Sequence, residues 1–169
     1  MHAPISFYTR QSFHLRSLSN GATPLMTTVD FYILPGNTVI QRYIFACRLV
    51  EKAYKLGHRV YIHADSREQV KEIDEQLWSF RKTSFVPHTT ETEDQHSQIV
   101  IGCGDVNHLQ DGLLVNLSND VPDIFSRFDR VSEIVVQDPV ITASTRESYR
   151  FYRDRGYQLV SHDMRKKHG

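Results

Sequence analysis

Cysteine is scarce in this chain, two in 169 residues with no C-x-x-C, which is too few for a disulfide framework or a zinc quartet. An excess of charge of either sign is also missing. Twenty Lys and Arg balance twenty Asp and Glu at a pI of about 7.1, so bulk attraction to nucleic acid or to an anionic membrane has no support. No apolar run approaches the ~18–20 residues that span a bilayer. Eight Gly and six Pro exclude collagen and low-complexity sequence. What is present, 40% hydrophobic and 24% charged residues, is the composition of one globular domain able to bury a core. A reducing, soluble compartment is the expectation.

Signatures of catalysis are missing too. Neither G-x-G-x-x-G nor G-x-x-x-x-G-K-[ST] occurs, and the turn after the first expected strand, Pro35-Gly36-Asn37-Thr38, has a single glycine. Gly102-Cys103-Gly104-Asp105 reads as a sharp exit turn from a strand. Nine histidines, among them His63, His88, His96 and His108, are scattered without a metal-binding spacing. No G-x-S-x-G elbow is present. Cys47 falls on an apolar helix stripe, the place of an inert buried thiol. The sequence therefore assigns no catalytic residue, metal ligand or cofactor.

Residues 1–25 contain no acid and carry Arg10 and Arg16. They read as an extension: a disordered tail, a translation start placed ahead of Met26, or an organelle transit peptide. The single domain is expected over 26–169. Strands are expected at residues 29–34, 59–64, 99–103, 113–117 and 130–136, each β-branched or aromatic and bounded by turn residues. Val39, Tyr43, Ala46, Cys47, Val50 and Ala53 follow helical spacing, with Gly57 placed as a C-terminal cap. A second helix is expected over 66–80 after an Asp65-Ser66 cap, with Val70, Ile73, Leu77 and Phe80 inward. Residues 89–98 read as a polar loop, and Val121-Pro122 opens a short helix. The last helix is expected over 143–155, started by a Ser144/Glu147 capping box and ended at Gly156, with a short strand possible after it. The sum is an α/β domain, a Rossmann-like three-layer fold with a mainly parallel sheet of about five strands and helices on both faces.

Two segments look like docking surfaces. Trp78, the one tryptophan, falls on the charged side of its helix and is followed by Phe85-Val86-Pro87 in a turn-rich stretch. That pattern fits an apolar patch for a protein partner, or equally a satellite core under the following loop. In the last helix Arg146, Tyr149, Arg150 and Arg153 share one face at helical spacing, while Phe151 and Tyr152 point the other way. Residues 141–169 carry seven cations against three acids, so the positive charge is local. Arginine forks beside a phenol ring suit an acidic peptide bearing an aromatic residue or a terminal carboxylate, or single-stranded nucleic acid. The bland reading is a solvated basic face.

The residues that unite these features resemble a known family. The opening Phe31-Tyr32-Ile33-Leu34 strand, Asp74-Glu75-x-Leu77-Trp78 followed by Ser84-Phe85-Val86-Pro87-His88, and Arg146-Glu147-x-Tyr149-Arg150-x-Tyr152-Arg153-x-x-Gly156 are similar to the chi subunit of bacterial DNA polymerase III over residues 30–159. Ile73 stands where the family has leucine. The resemblance implies a cytoplasmic, non-catalytic accessory subunit of the clamp-loader complex, part of a nucleotidyltransferase holoenzyme. It implies that Trp78, Phe85, Val86 and Pro87 contact the psi subunit or an equivalent. Arg146, Tyr149, Arg150 and Arg153 would receive the acidic, Phe-ended tail of single-stranded DNA-binding protein, so that DNA is met only indirectly and no membrane is involved. Thr142 stands where some relatives have a further basic contact. The competing readings are a nucleotide- or small-molecule-binding enzyme on the same sheet, and a module that binds single-stranded DNA directly.

Overall fold

A computed structural model of the chain describes residues 26–83, 85–90, 97–104 and 111–166. Residues 1–25, the expected extension, and residue 84 of the Ser84–His88 stretch lie outside the described residues. The elements are β1 (Thr28–Ile33), α1 (Val39–Lys55), β2 (Val60–His63), α2 (Arg67–Ser79), β3 (Thr89–Thr90), β4 (Ile99–Gly102), β5 (Leu113–Asn116), a 3-10 turn (Asp123–Arg127), β6 (Arg130–Val135), α3 (Pro139–Asp154) and β7 (Gln158–Asp163).

Seven strands form one sheet in the order β3-β4-β2-β5-β6-β1-β7, and every pairing is parallel. The expected five strands are all there. The two additions are the edges: β3 lies in the stretch read as a polar loop, and β7 is a full six-residue partner of β1. Both were faint in sequence because an edge strand is half solvated and needs no continuous apolar run.

Alternate side chains sort the core into two layers. Tyr32, Val60, Ile62, Ile99, Ile101, Leu113, Val115 and Ile134 pack under α1 and α2. Their neighbours Val29, Phe31, Tyr61, Val100, Leu114 and Val131 pack with Phe125, Phe128 and Tyr152 on the other side, under the 3-10 turn and α3. Most are below 3% exposed, and each such large side chain contributes ~1.5–3 kcal/mol on burial. Across the β6-β1-β7 edge, Arg130 makes two 2.8 Å hydrogen bonds to the Asp30 carboxylate, and His162 Nε2 sits 3.0 Å from the same group.

α1 begins at a reciprocal cap in which Gln41 N–H donates to Thr38 Oγ1, and Gln41 Oε1 accepts from the Thr38 N–H. Gly57 and Gly156 adopt φ of +86° and +80°, the left-handed caps their positions called for. α3 differs from expectation at its start. It begins at Pro139, with the Asp138 carboxylate accepting from Val140 N and Ile141 N, and not at Ser144. Ser144 and Thr145 are mid-helix, and their hydroxyls donate back to the Ile141 carbonyl. Pro139 does not itself end β6, which stops at Val135; it takes the first helical position, where no N–H is needed.

Candidate docking surfaces

Ser66 caps α2 by accepting from Gln69 N–H, which sets the register that buries Val70, Ile73 and Leu77. Trp78 is thereby turned outward and stays 53% exposed. Beyond the helix the chain doubles back, leaving Phe85 66% exposed with its ring 5.6 Å from that of Trp78. These two side chains form an exposed aromatic pair, not a satellite core. Val86 is placed differently, 1% exposed within the core under α2, while Pro87 is half-buried. Val86 therefore pins the segment from beneath and has no surface to offer.

On the opposite layer, α3 buries Ile141, Ser148 and Tyr152. The four expected residues of its basic face are exposed, but they do not act as one stripe. Tyr149 is 38% exposed and leans on Phe31 at 5.2 Å between ring centroids. With Arg146, Thr142 and Thr145 it walls an open groove of about 270 Å³, floored by Phe31, Ile33 and Val135 and closed on the far side by Ser161 and Arg165. Arg150 lies toward the other flank of α3, where it pairs with Glu147 at 2.6 Å and borders a second depression with Asp120 and Phe151. Arg153 holds Asp154 at 3.0 Å. Among the described residues the Arg146 guanidinium makes no hydrogen bond or ion pair, so it is the cation most available to a ligand.

Arg165 is the residue that sequence reasoning counted but did not place. Its guanidinium forks onto Asp163 at 2.9 and 2.7 Å, which fixes it beside the groove and holds the Asp163 carboxyl below the usual range. Its position follows only from β7 pairing with β1. The groove thus combines an apolar floor with guanidinium groups on two sides, the arrangement that accepts an aromatic side chain and a carboxylate together. The exposed pairs Arg150–Glu147 and Arg153–Asp154 are worth only a few tenths of a kcal/mol, so either arginine is readily recruited by a better acid.

The strand ends where a dinucleotide would sit are occupied by the protein's own groups. Asn37 N–H and Thr38 N–H both donate to Gln41 Oε1 at 3.0 Å, and Gln137 N–H donates to the Gly36 carbonyl at 2.8 Å. Among the described residues no cluster of three His, Cys, Asp or Glu could hold a metal ion, and no helix is long and apolar enough to cross a membrane. Cys47 is buried, which pushes its thiol up to about 12.

Residues 26–160 match a family described as DNA polymerase III chi subunit, HolC. The chain is 41% identical to a DNA polymerase III subunit chi from Pseudomonas aeruginosa over 139 residues, 82% of this chain and 98% of that protein. It is 31% identical to the subunit of the same name from Haemophilus influenzae over 140 residues, 81% and 97% of the two chains. To the Escherichia coli subunit chi it is 24% identical over 141 residues, 79% and 96%.

Proposed function

The chain belongs to the DNA polymerase III chi subunit family, and on that premise we propose that it is a non-catalytic adaptor linking the clamp loader to single-stranded DNA-binding protein. The observation that carries this reading is the groove beside α3, apolar below and flanked by Arg146 and Arg165. An acidic peptide ending in Phe would seat its ring on Phe31 and Tyr149. Its terminal carboxylate and side-chain acids would meet Arg146, Arg150, Arg153 and Arg165.

The other surface serves the clamp-loader side. Trp78 and Phe85, with Pro87 between the exposed pair and the core, receive the psi subunit or an equivalent, and Val86 sets their position from below. Trp anchors of this kind cost ~2 kcal/mol or more of binding when truncated. The two surfaces lie on opposite faces of the sheet and toward opposite edges, α2 beside β3 and β4 and α3 beside β6 and β7. With ~4.8 Å between strands, several strand widths separate them, so both partners can be held at once.

Fluorescence anisotropy of a labelled acidic peptide ending in Phe, across a salt series, tests the reading. Arg146→Glu should weaken binding tenfold or more, an effect that shrinks as salt rises. Tyr149→Ala should weaken it through lost apolar contact, with less dependence on salt. Trp78→Ala should bind the peptide as wild type does. Wild-type affinity in Arg146→Glu, or equal loss in Trp78→Ala, would sink the two-surface adaptor.

A further inference from the structure

The two cationic walls of the groove beside α3 are built differently. Arg146, on the helix wall, has no hydrogen bond or ion pair among the described residues and can follow a ligand. Arg165, on the β7 wall, is fixed. β7 pairs with β1 in a register that sets Ser161 beside Phe31 and Asp163 beside Ile33, so both lie on the face that carries the groove floor. Met164 points the other way, packs against the core layer under α1 and α2, and donates its N–H to the Ile33 carbonyl at 2.8 Å. The chain then returns Arg165 to the groove. Its backbone N–H donates to Asp163 Oδ1 at 3.0 Å, its Nε to the same oxygen at 2.9 Å, and its Nη2 to Oδ2 at 2.7 Å. One carboxylate thus holds both the backbone and the guanidinium of Arg165 at the rim.

An acid at the rim of a groove that takes an acidic ligand would repel that ligand unless it had another task. The hydrogen-bond pattern shows the task. Asp163 engages the side edge of the guanidinium, through Nε and Nη2, and leaves the parallel N–H pair on Nη1 and Nη2 at the end of the fork open to a second carboxylate. A phenylalanine ring seated on the apolar floor carries its α-carboxylate only a Cβ and a Cα away, so covalent geometry places that carboxylate at the rim. A group of fixed position is best met by a fixed fork, which loses less side-chain freedom on binding. The unpaired Arg146 suits side-chain acids further up the peptide, whose positions vary.

We propose that Arg165 is the specificity-determining residue that reads the terminal carboxylate of the bound peptide, and that Asp163 is its positioning residue. This rests on the reading that the groove receives an acidic peptide ending in Phe. It makes the groove selective for a chain end: an internal aromatic residue among acids, or an end capped as an amide, brings no α-carboxylate to the open side of the fork.

Two acidic peptides ending in Phe, identical except that one has a free carboxylate and the other a terminal amide, test this by competition in fluorescence anisotropy on the full chain. Wild type should prefer the free acid by about tenfold. Arg165→Lys keeps the charge without the fork and should lower that preference to about twofold. Asp163→Asn should lower it as far, and should weaken binding of the free acid although it removes a negative charge from the rim; charge alone predicts the opposite sign. Arg146→Gln should weaken both peptides and keep the preference. Thermal melts of each variant check that β7 stays folded, and a loss of folded protein would lower binding of both peptides alike and leave their ratio unmoved. An unchanged preference in Arg165→Lys, or tighter binding of the free acid by Asp163→Asn, would overturn the proposal. Equal binding of the two peptides by wild type would overturn it with the docking reading intact, whereas binding of neither would overturn both.

Discussion

Glu133 is fully buried on β6, where its carboxyl group accepts from Tyr152 Oη at 2.8 Å and from Asn116 Nδ2 at 2.9 Å. Burial pushes it up to about 7, against the opposing pull of those two donors and of the buried Arg42 guanidinium. An acid raised in this way binds its proton in the folded chain at a pH where the unfolded chain has released it. Folding stability therefore falls as pH rises from about 4.5 to 7, by an amount on the order of 3 kcal/mol from this group. Glu133→Gln should remove most of that slope, because an amide oxygen still accepts from Tyr152 and Asn116 without a charge to bury. Urea denaturation at pH 5 and pH 8 measures it; equal slopes in the two proteins would show that Glu133 does not titrate with folding. Tyr152 was readable in the sequence as a core residue of the last helix. Its partner was not, because 19 residues and a turn of chain separate them.

At the scale of elements, α3 is the part whose start decides the groove. Asp138→Ala removes the acceptor for Val140 N and Ile141 N and should cost about 1 kcal/mol, whereas Ser144→Ala should leave stability nearly unchanged. Thermal melts of the two variants decide between the observed start and the capping box read from the sequence; the reverse order of losses would favour Ser144. Fraying of the first turn would also loosen Thr142, which walls the groove, so peptide affinity should fall modestly in Asp138→Ala alone. The α2 stripe was legible throughout, since helical spacing is a local property. The fate of Val86 was not, because a residue in an irregular segment has no periodicity to say which way it points.

For the whole molecule, β7 is the element on which fold and groove both depend. It covers the edge of β1, places His162 against Asp30, and brings Ser161 and Arg165 to the groove. A chain ending at Gly156 should lose peptide binding and melt at lower temperature, while a chain beginning at Met26 should melt as the full chain does, because the family match begins there. Differential scanning calorimetry reads both; an unchanged melt after loss of β7 would mean that the strand is an ornament of the sheet and not part of it.

Period and punctuation along the chain were enough to determine the α/β class, the five inner strands, three helices, an outward Trp78 and a row of arginines on the last helix. These are local matters, decided by side chains three or four apart on a helix or two apart on a strand. Tertiary structure decided what the local pattern could not: that Tyr149 rests on Phe31, that Arg150 turns to Glu147 and the far flank, and that Arg165 faces Arg146 across a groove. Each of these depends on strand order, in which β1 lies between β6 and β7, elements about 100 and 130 residues further along the chain. Periodicity says which face a residue takes. The order in which strands assemble, set by burying both faces of one sheet at once, says which residues that face will meet.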